Sequence, residues 1–277
     1  MSVVINSNYS AIVSKTNLTN AQKSMDRAFE RLSLGKKTIH AADDAAGIAI
    51  AGRMESQMRA LSVAANHAKA GQQMLETAEG SLAAISSVLQ RMREIAVHAS
   101  SGIASDSDRE YLNLEMSSLT SQLDLTATNA KYNNIQLLKG ASFNFYTDMD
   151  VSGSKITTQT GDMGTGALGV DAATVSVGKD VTQASLSTVV AAIDNAIKTV
   201  DTKRSELGAI SNRFDHSMDN LKNAVMTTAN SKGVMIDADY SEESVKLTRS
   251  SILQNAATSM LAQSHAQKNS ILTLFQS

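Results

Sequence analysis

Apolar residues recur along this chain at alternating spacings of three and four over two long stretches. Met54, Leu61, Ala68, Leu75, Leu82, Leu89 and Ala96 repeat every seven residues, and Ala64, Gly71, Ala78, Ile85, Met92 and Ala99 keep the same period three residues out of phase. This is the a/d seam of a coiled coil. At about 1.5 Å per residue, Met54 to Ala99 predicts a helix of roughly 70 Å. Toward the C-terminus, Leu186, Ile193, Val200, Leu207, Phe214, Leu221 and Thr228 form a second ladder, partnered by Val189, Ala196, Ile210 and Val225. Shorter seams run through Leu18, Ala21, Met25, Ala28 and Leu32, and through Leu112, Met116, Leu119, Leu123, Thr126 and Ala130. Another runs through Leu253, Ala256, Met260, Ile271 and Leu274. Many seam positions are Ala or Met, which permits close and adaptable packing. A striped helix needs a partner, and the two halves supply each other's, so the termini are expected to run antiparallel.

The stretch SSGIASDSD at 100–108 is rich in Gly, Ser and Asp, and predicts a helix end followed by a capped restart. Residues 141–182 differ in kind. FNFYTDMDVSG and ATVSVGKDVT alternate β-branched or aromatic residues with polar ones between Gly and Asp, which predicts one or two hairpins. The fold class that follows is mainly α: a long antiparallel coiled-coil rod formed by the N- and C-terminal segments, with a small β-hairpin insertion.

Composition narrows the function. The 25 basic and 27 acidic residues give a net charge of −2, and there are no charge runs. That balance argues against nucleic-acid binding, which normally needs a basic face. Pro is absent, where average usage would supply roughly fourteen. A chain without Pro can hold long uninterrupted helices. Cys is absent too, so no disulfide, thiolate metal site or cysteine nucleophile is available. The N-terminal MSVVINSNYSAIVSK has no basic region ahead of an apolar core, so no Sec signal is read there. No window approaches eighteen consecutive apolar residues, and membrane insertion is not expected.

Candidate chemistry is sparse. GTGALG at 164–169 matches the dinucleotide fingerprint by letter, but that motif needs a buried strand before it and a helix after it. Here the following VDAATVSVG reads as strand, so a flexible turn is expected. No two of His40, His67, His98, His216 and His265 lie at metal-binding helical spacing, and each is expected in solvent on a helix face. There is no Gly-x-Ser-x-Gly elbow. Glu242 and Glu243 suit a helix first turn. HAADDAAGIAIAGRM at 40–54 pairs two carboxylates, but adjacent helical residues point about 100° apart and do not converge. Asp43 or Asp44 is expected to cap the long helix, and Gly47 and Gly52 to mark a close approach by a neighbouring helix. No enzyme activity, cofactor or metal is expected.

ERLSLGKKTIHAADDAAGIAIAGRM at 30–54 closely resembles the N-terminal signature of bacterial flagellins, and LQRMREIAVHASSG at 89–102 is similar to a second one. RSELGAISNRFDHSMDNL, DADY and SSILQNAATSMLAQ resemble the C-terminal region. The resemblance covers about 1–140 and 183–277. It implies a subunit exported unfolded through the flagellar type III apparatus, aided by an export chaperone, that polymerises beneath a cap into the extracellular filament used for swimming. Cap and hook-associated proteins, and copies of itself, are the implied partners.

Residues 1–44 and 235–277 would form the inner domain, and 45–140 with 183–234 the helices of the outer domain. Residues 141–182 would be the short variable hairpin region. Subunit-interface candidates are Asp43, Asp44, Gly47, Arg91, Glu94, Ile252, Leu253, Met260, Leu261 and Leu274. The resemblance also implies recognition by vertebrate Toll-like receptor five: Arg91 matches its key arginine, Glu115 its acidic contact, and Ile95 stands where leucine is usual. SNYSAIVSKTNLTN is rich in weak helix formers, so order there is expected to come from neighbours. The last helix lacks the usual late proline and is expected to run on unbroken. Other readings are a hook–filament junction protein of the same family, and a secreted coiled-coil adhesin or effector.

Overall fold

The computed structural model describes residues 7–102, 104–147, 155–179 and 181–276, with side chains described to residue 270. Five long helices dominate: α1 (Tyr9–Leu34), α2 (Ala45–Ala99), α3 (Asp106–Asn129), α5 (Gln183–Ile236) and α6 (Tyr240–Gln276). Between α3 and α5 lie strands β1 (Lys131–Tyr132), β2 (Ile135–Gln136), β3 (Ser142–Tyr146) and β4 (Lys155–Gln159), and the one-turn helix α4 (Thr165–Leu168). The chain divides into two compact units, Met1–Ser56 with Thr227–Ser277, and Gln57–Met226.

In the 57–226 unit, α2 and α5 run antiparallel, as the seams require. Gln72 donates to Asp215 at 3.0 Å, Arg204 donates twice to Glu79 at 2.7 and 3.0 Å, and Arg93 donates to Asp194 at 2.6 Å. The predicted seam is the core: Leu75, Leu82, Ile85, Leu89 and Met92 meet Leu186, Ile193, Val200, Leu207 and Phe214, all buried. A second stripe on α2, Met74 and Ile95 with half-buried Val88, joins the same cluster with Met116, Leu123 and Ala127 of α3. That helix restarts where predicted. Ser105 accepts from the Asp108 amide and the Asp108 carboxylate accepts from the Ser105 amide at 3.0 Å, a capping box.

A tight hairpin, β1–β2, follows α3. Its turn residues Asn133 and Asn134 both have positive φ, 48° and 62°, the left-handed pair that two-residue hairpins favour. β3 and β4 pair antiparallel with Phe143 opposite Thr158 and Phe145 opposite Ile156. These residues form the inward face, and the Phe145 ring meets Phe214 edge-on at 5.3 Å and 83°. The hairpin predicted from FNFYTDMDVSG is therefore present, although 148–154 lie outside the described residues.

The strand expected from VDAATVSVG is not there. Val170, Val175 and Val177 are buried, so the alternation did signal burial. The backbone, however, bonds within turns and to side chains rather than to a ladder: the Val175 amide donates to the Asp171 carbonyl at 3.1 Å, the Asp171 carboxylate accepts from the Thr174 amide at 2.9 Å, and Asn113 accepts from the Val177 amide at 3.0 Å. In GTGALG the expected flexible turn is a fixed helical turn, ended by Gly169 at φ 67° with Leu168 buried beneath it.

The other unit pairs α1 with α6, also antiparallel. Asn8 meets Ser264, Gln22 meets Gln254, and Arg31 meets Glu243. The helices come so close that many of their Cα atoms lie within 8 Å. This proximity overturns the seam read at Leu253, Ala256 and Met260, which are exposed. The buried line on α6 is instead Glu243, Ser250, Ala257 and Ser264, spaced by seven. Only small side chains, or one held in ion pairs, fit at that distance; Ala11, Ala21 and Ala28 are their buried counterparts on α1. α1 is helical from Tyr9 despite its weak helix formers. Asn8 caps the Ala11 amide at 3.0 Å, and the Thr16 and Thr19 hydroxyls donate to carbonyls four residues back.

Gly35, at φ 66°, ends α1 and lets the chain pair with the α5–α6 junction. The Lys37 amide donates to the Ile236 carbonyl at 2.7 Å and the Ala238 amide to the Gly35 carbonyl at 3.0 Å. An ion pair between Glu55 and Lys232 adds to this junction. As expected, α6 runs to Gln276 without a break.

Candidate functional site

The two carboxylates of HAADDAAG divide their work between two sets of amides. Asp44 accepts from the Gly47 amide at 2.8 Å, which caps α2. Asp43 turns the other way and accepts from the Ile39 and His40 amides at 3.2 Å each. These amide bonds, His40's first, hold the Asp43 carboxyl below its ordinary value, with Arg31 adding a smaller effect. The two groups share no target, so this is loop and cap chemistry.

Within the subunit, what crowds Gly47 is its own cap and not a neighbouring helix. A Cβ there would stand 2.2 Å from the Asp44 carboxylate, so the small residue makes room for the cap. At Gly52 an added Cβ meets nothing within 4 Å.

Among the described residues, no group of three or more His, Asp and Glu is placed to hold a metal ion. His67, His98, His216 and His265 are exposed on helices. His40 instead lies on the loop before α2, 3.3 Å from Glu30.

The terminal unit has an inverted distribution of apolar side chains. Among the described residues its buried hydrophobic ones are Ala11, Ala21, Ala28, Ala51 and Ala257, every one an alanine. Several large ones face outward, Tyr9, Ile12, Phe29 (67% exposed) and Leu34 on α1, and Val245, Ile252 (62%) and Met260 (61%) on α6, while Leu18, Met25, Leu32 and Leu247 are half-buried. Of the interface candidates, Leu253 and Met260 line one groove between α1 and α6 together with Tyr9 and Val13, about 670 Å³ in volume. Ile252 joins Leu253 and Val245 along a neighbouring hollow. Leu261 is half-buried, and the side chain of Leu274 lies outside the described residues. The α1 face was missed in the sequence, yet it left a signal: Tyr9, Ile12, Val13 and Phe29 are apolar positions outside the seam.

Arg91, Glu94 and Glu115 come together on the other unit. Arg91 donates to Glu115 at 2.8 and 2.9 Å and to Glu94 at 2.9 Å. The bonds to Glu115 and then Glu94 raise the Arg91 pKa above its ordinary value. Ile95 is not on this surface. It is 2% exposed, in the core beneath the cluster.

The chain matches the family model described as the bacterial flagellin N-terminal helical region over residues 5–142, and the C-terminal helical region over 190–275. It is 31% identical over 287 residues to the flagellin FlaB2 of Treponema pallidum (strain Nichols), covering 99% of this chain and 100% of that one. It is equally 31% identical, over 285 residues, to a Listeria innocua flagellin, covering 99% of each chain. A solved structure assigned to a flagellar hook-associated protein of Vibrio parahaemolyticus shares the fold, with TM-score 0.62 and 16% identity over 70% of this chain and 99% of that one. Helices α1 to α3 fall within the first matched region, and most of α5 with α6 within the second. The chain belongs to the bacterial flagellin family.

Proposed function

We propose that the outward apolar faces of α1 and α6 are the surfaces through which copies of this chain polymerise. The chain is a structural subunit of the extracellular flagellar filament, and its function is assembly. The observation that carries the proposal is the inversion in the terminal unit: alanines inside, Phe29, Ile252 and Met260 outside. Covering a large apolar side chain contributes about 1.5–3 kcal/mol. Half a dozen of them supply on the order of 10 kcal/mol, enough to meet the similar cost of losing rotational and translational freedom.

In this reading 1–44 and 235–277 make the inner domain, and 45–140 with 183–234 the outer helices around the 141–182 variable region. Asp43, Asp44 and Gly47 contribute by fixing where α2 starts. The same reading takes cap and hook-associated proteins, an export chaperone and the type III apparatus as the chain's partners.

Phe29→Asp and Ile252→Asp test the reading, because both sites are exposed and neither change disturbs the subunit's own packing. Monomer circular dichroism should match wild type while seeded filament growth, followed by sedimentation and electron microscopy, is lost. Normal filaments from both variants overturn it. A junction protein would instead give short, terminated oligomers in the same micrographs.

A second reading rests on the exposed Arg91, Glu94 and Glu115 cluster, a charged surface suited to Toll-like receptor five and to lateral subunit contacts. Ile95 would support it from below. Arg91→Ala should lower receptor signalling by monomer; unchanged signalling refutes this reading.

A further inference from the structure

Two methionines among the described residues stand mostly in solvent, Met226 at 62% and Met260 at 61%; the others are buried or half-buried. Met260 also lines the groove between α1 and α6, beside Leu253, Ala257, Tyr9 and Val13. Its thioether is thus both open to small oxidants in the free subunit and part of the face read above as covered on assembly. We propose that Met260 is an oxidation-sensitive gate on assembly, one that peroxide closes in the free subunit and that incorporation into a filament protects. The proposal rests on the polymerisation reading of the previous subsection.

The chemistry is a two-electron oxygen transfer. The Met260 sulfur attacks one peroxide oxygen, an S–O bond forms as the O–O bond breaks, and the departing oxygen leaves as water after proton transfer. The sulfur is oxidised to a sulfoxide and the peroxide is reduced. The product replaces a flexible apolar side chain with a polar, chiral one. Its oxygen is a strong acceptor beside Leu253, Ala256 and Ala257, in a groove that also carries Ser14, Asn17 and Ser250, and the gate requires that the covering copy of the chain leave it without a donor. Burying an acceptor without a partner disfavours the assembled state by about tenfold or more. Methionine sulfoxide reductases reverse the modification, so the gate can reopen.

The test uses full-length monomer treated with hydrogen peroxide, quenched, and mapped by peptide mass spectrometry. Seeded growth is then followed by sedimentation. Met260 and Met226 should oxidise ahead of the other described methionines, and growth should slow by about tenfold or more. Met260→Leu, which conserves volume, should grow after peroxide at its untreated rate, while Met226→Leu stays as slowed as wild type. Reductase treatment should restore growth, and Met260 within preformed filaments should resist oxidation.

Full-rate growth of oxidised wild type overturns the proposal. So does equal inhibition of treated Met260→Leu, which would place the effect on another methionine. If leucine itself blocks growth, the deciding sample is wild-type subunit oxidised at Met260 alone, purified and mapped. Slowed growth of that sample supports the gate, and growth at the untreated rate overturns it. Failure of untreated wild type to grow on seeds refutes the polymerisation reading instead, and the gate with it.

Discussion

Gly71 and Gly80 lie on the same helix, and the same substitution should move stability in opposite directions at the two sites. A Cβ at Gly71 would stand 2.8 Å from Cζ of Phe214 and 3.1 Å from Cδ1 of Phe145. Phe214 is fully buried and held edge-on by Phe145, so it has little room to retreat. Overpacking of this kind costs about 1–3 kcal/mol. Replacing Gly by Ala in a helix interior contributes about 1 kcal/mol the other way. Gly71→Ala should therefore destabilise by about 1 kcal/mol net. At Gly80 an added Cβ meets nothing within 4 Å, so only the helix term remains and Gly80→Ala should stabilise by about 1 kcal/mol.

The gap of about 2 kcal/mol corresponds to roughly 4–8 °C in Tm for a unit of this size. Thermal and urea unfolding followed by circular dichroism reads it directly. In a Phe214→Leu background the cost at Gly71 should disappear, which a double-mutant cycle isolates. If Gly71→Ala stabilises as much as Gly80→Ala, the aromatic pair is not the tight lock described above.

Other outcomes can be checked with the same melts. Thr158 is 1% exposed, and its hydroxyl has no hydrogen-bond partner among the described residues; Thr158→Val should stabilise by about 1 kcal/mol, and a loss of stability would mean that the hydroxyl is satisfied. Gly47→Ala should be near neutral, its helix gain of about 1 kcal/mol offset by a displaced cap, and should become stabilising once Asp44→Ala has removed the carboxylate. Asp43, Asp108 and Asp171 all have carboxyls held below their ordinary 3.8 by local hydrogen bonds. Such groups favour the folded state fully above about pH 4, and that support is lost as pH falls through their depressed folded values. Melting temperatures should thus decline below pH 4, and Ser105→Ala should flatten the part of the decline due to Asp108.

The heptads foretold the core of the 57–226 unit because its seam is buried within the chain, so burial and periodicity coincide. Ile95 escaped this logic: a two-helix seam leaves it outside, and only the packing of α3 covers the second stripe. On α6 the apolar period was legible, but its direction was not. Leu253 and Met260 signal a buried face, and in the subunit that face is open, while the true contact line of Ser250 and Ser264 looks polar on paper. Val175 and Val177 announced burial correctly and strand wrongly, because the Val175 amide closes a turn onto the Asp171 carbonyl and Asn113 serves the Val177 amide from 64 residues away. The β1–β2 hairpin has two residues per strand, too short for any periodicity. Ion pairs such as Arg204 with Glu79 join residues 125 apart and leave no local trace.

On the polymerisation reading, the alanine column between α1 and α6 also bears on how much free subunit a solution can hold. By filling the interior with methyl groups, it leaves Phe29, Ile252, Leu253 and Met260 as a standing exposed apolar surface of the kind that drives association. A net charge of −2 over 277 residues supplies little repulsion to counter it. Loose subunits in excess of the growing ends are then expected to clump, so the supply of new chains has to be matched to the number of ends.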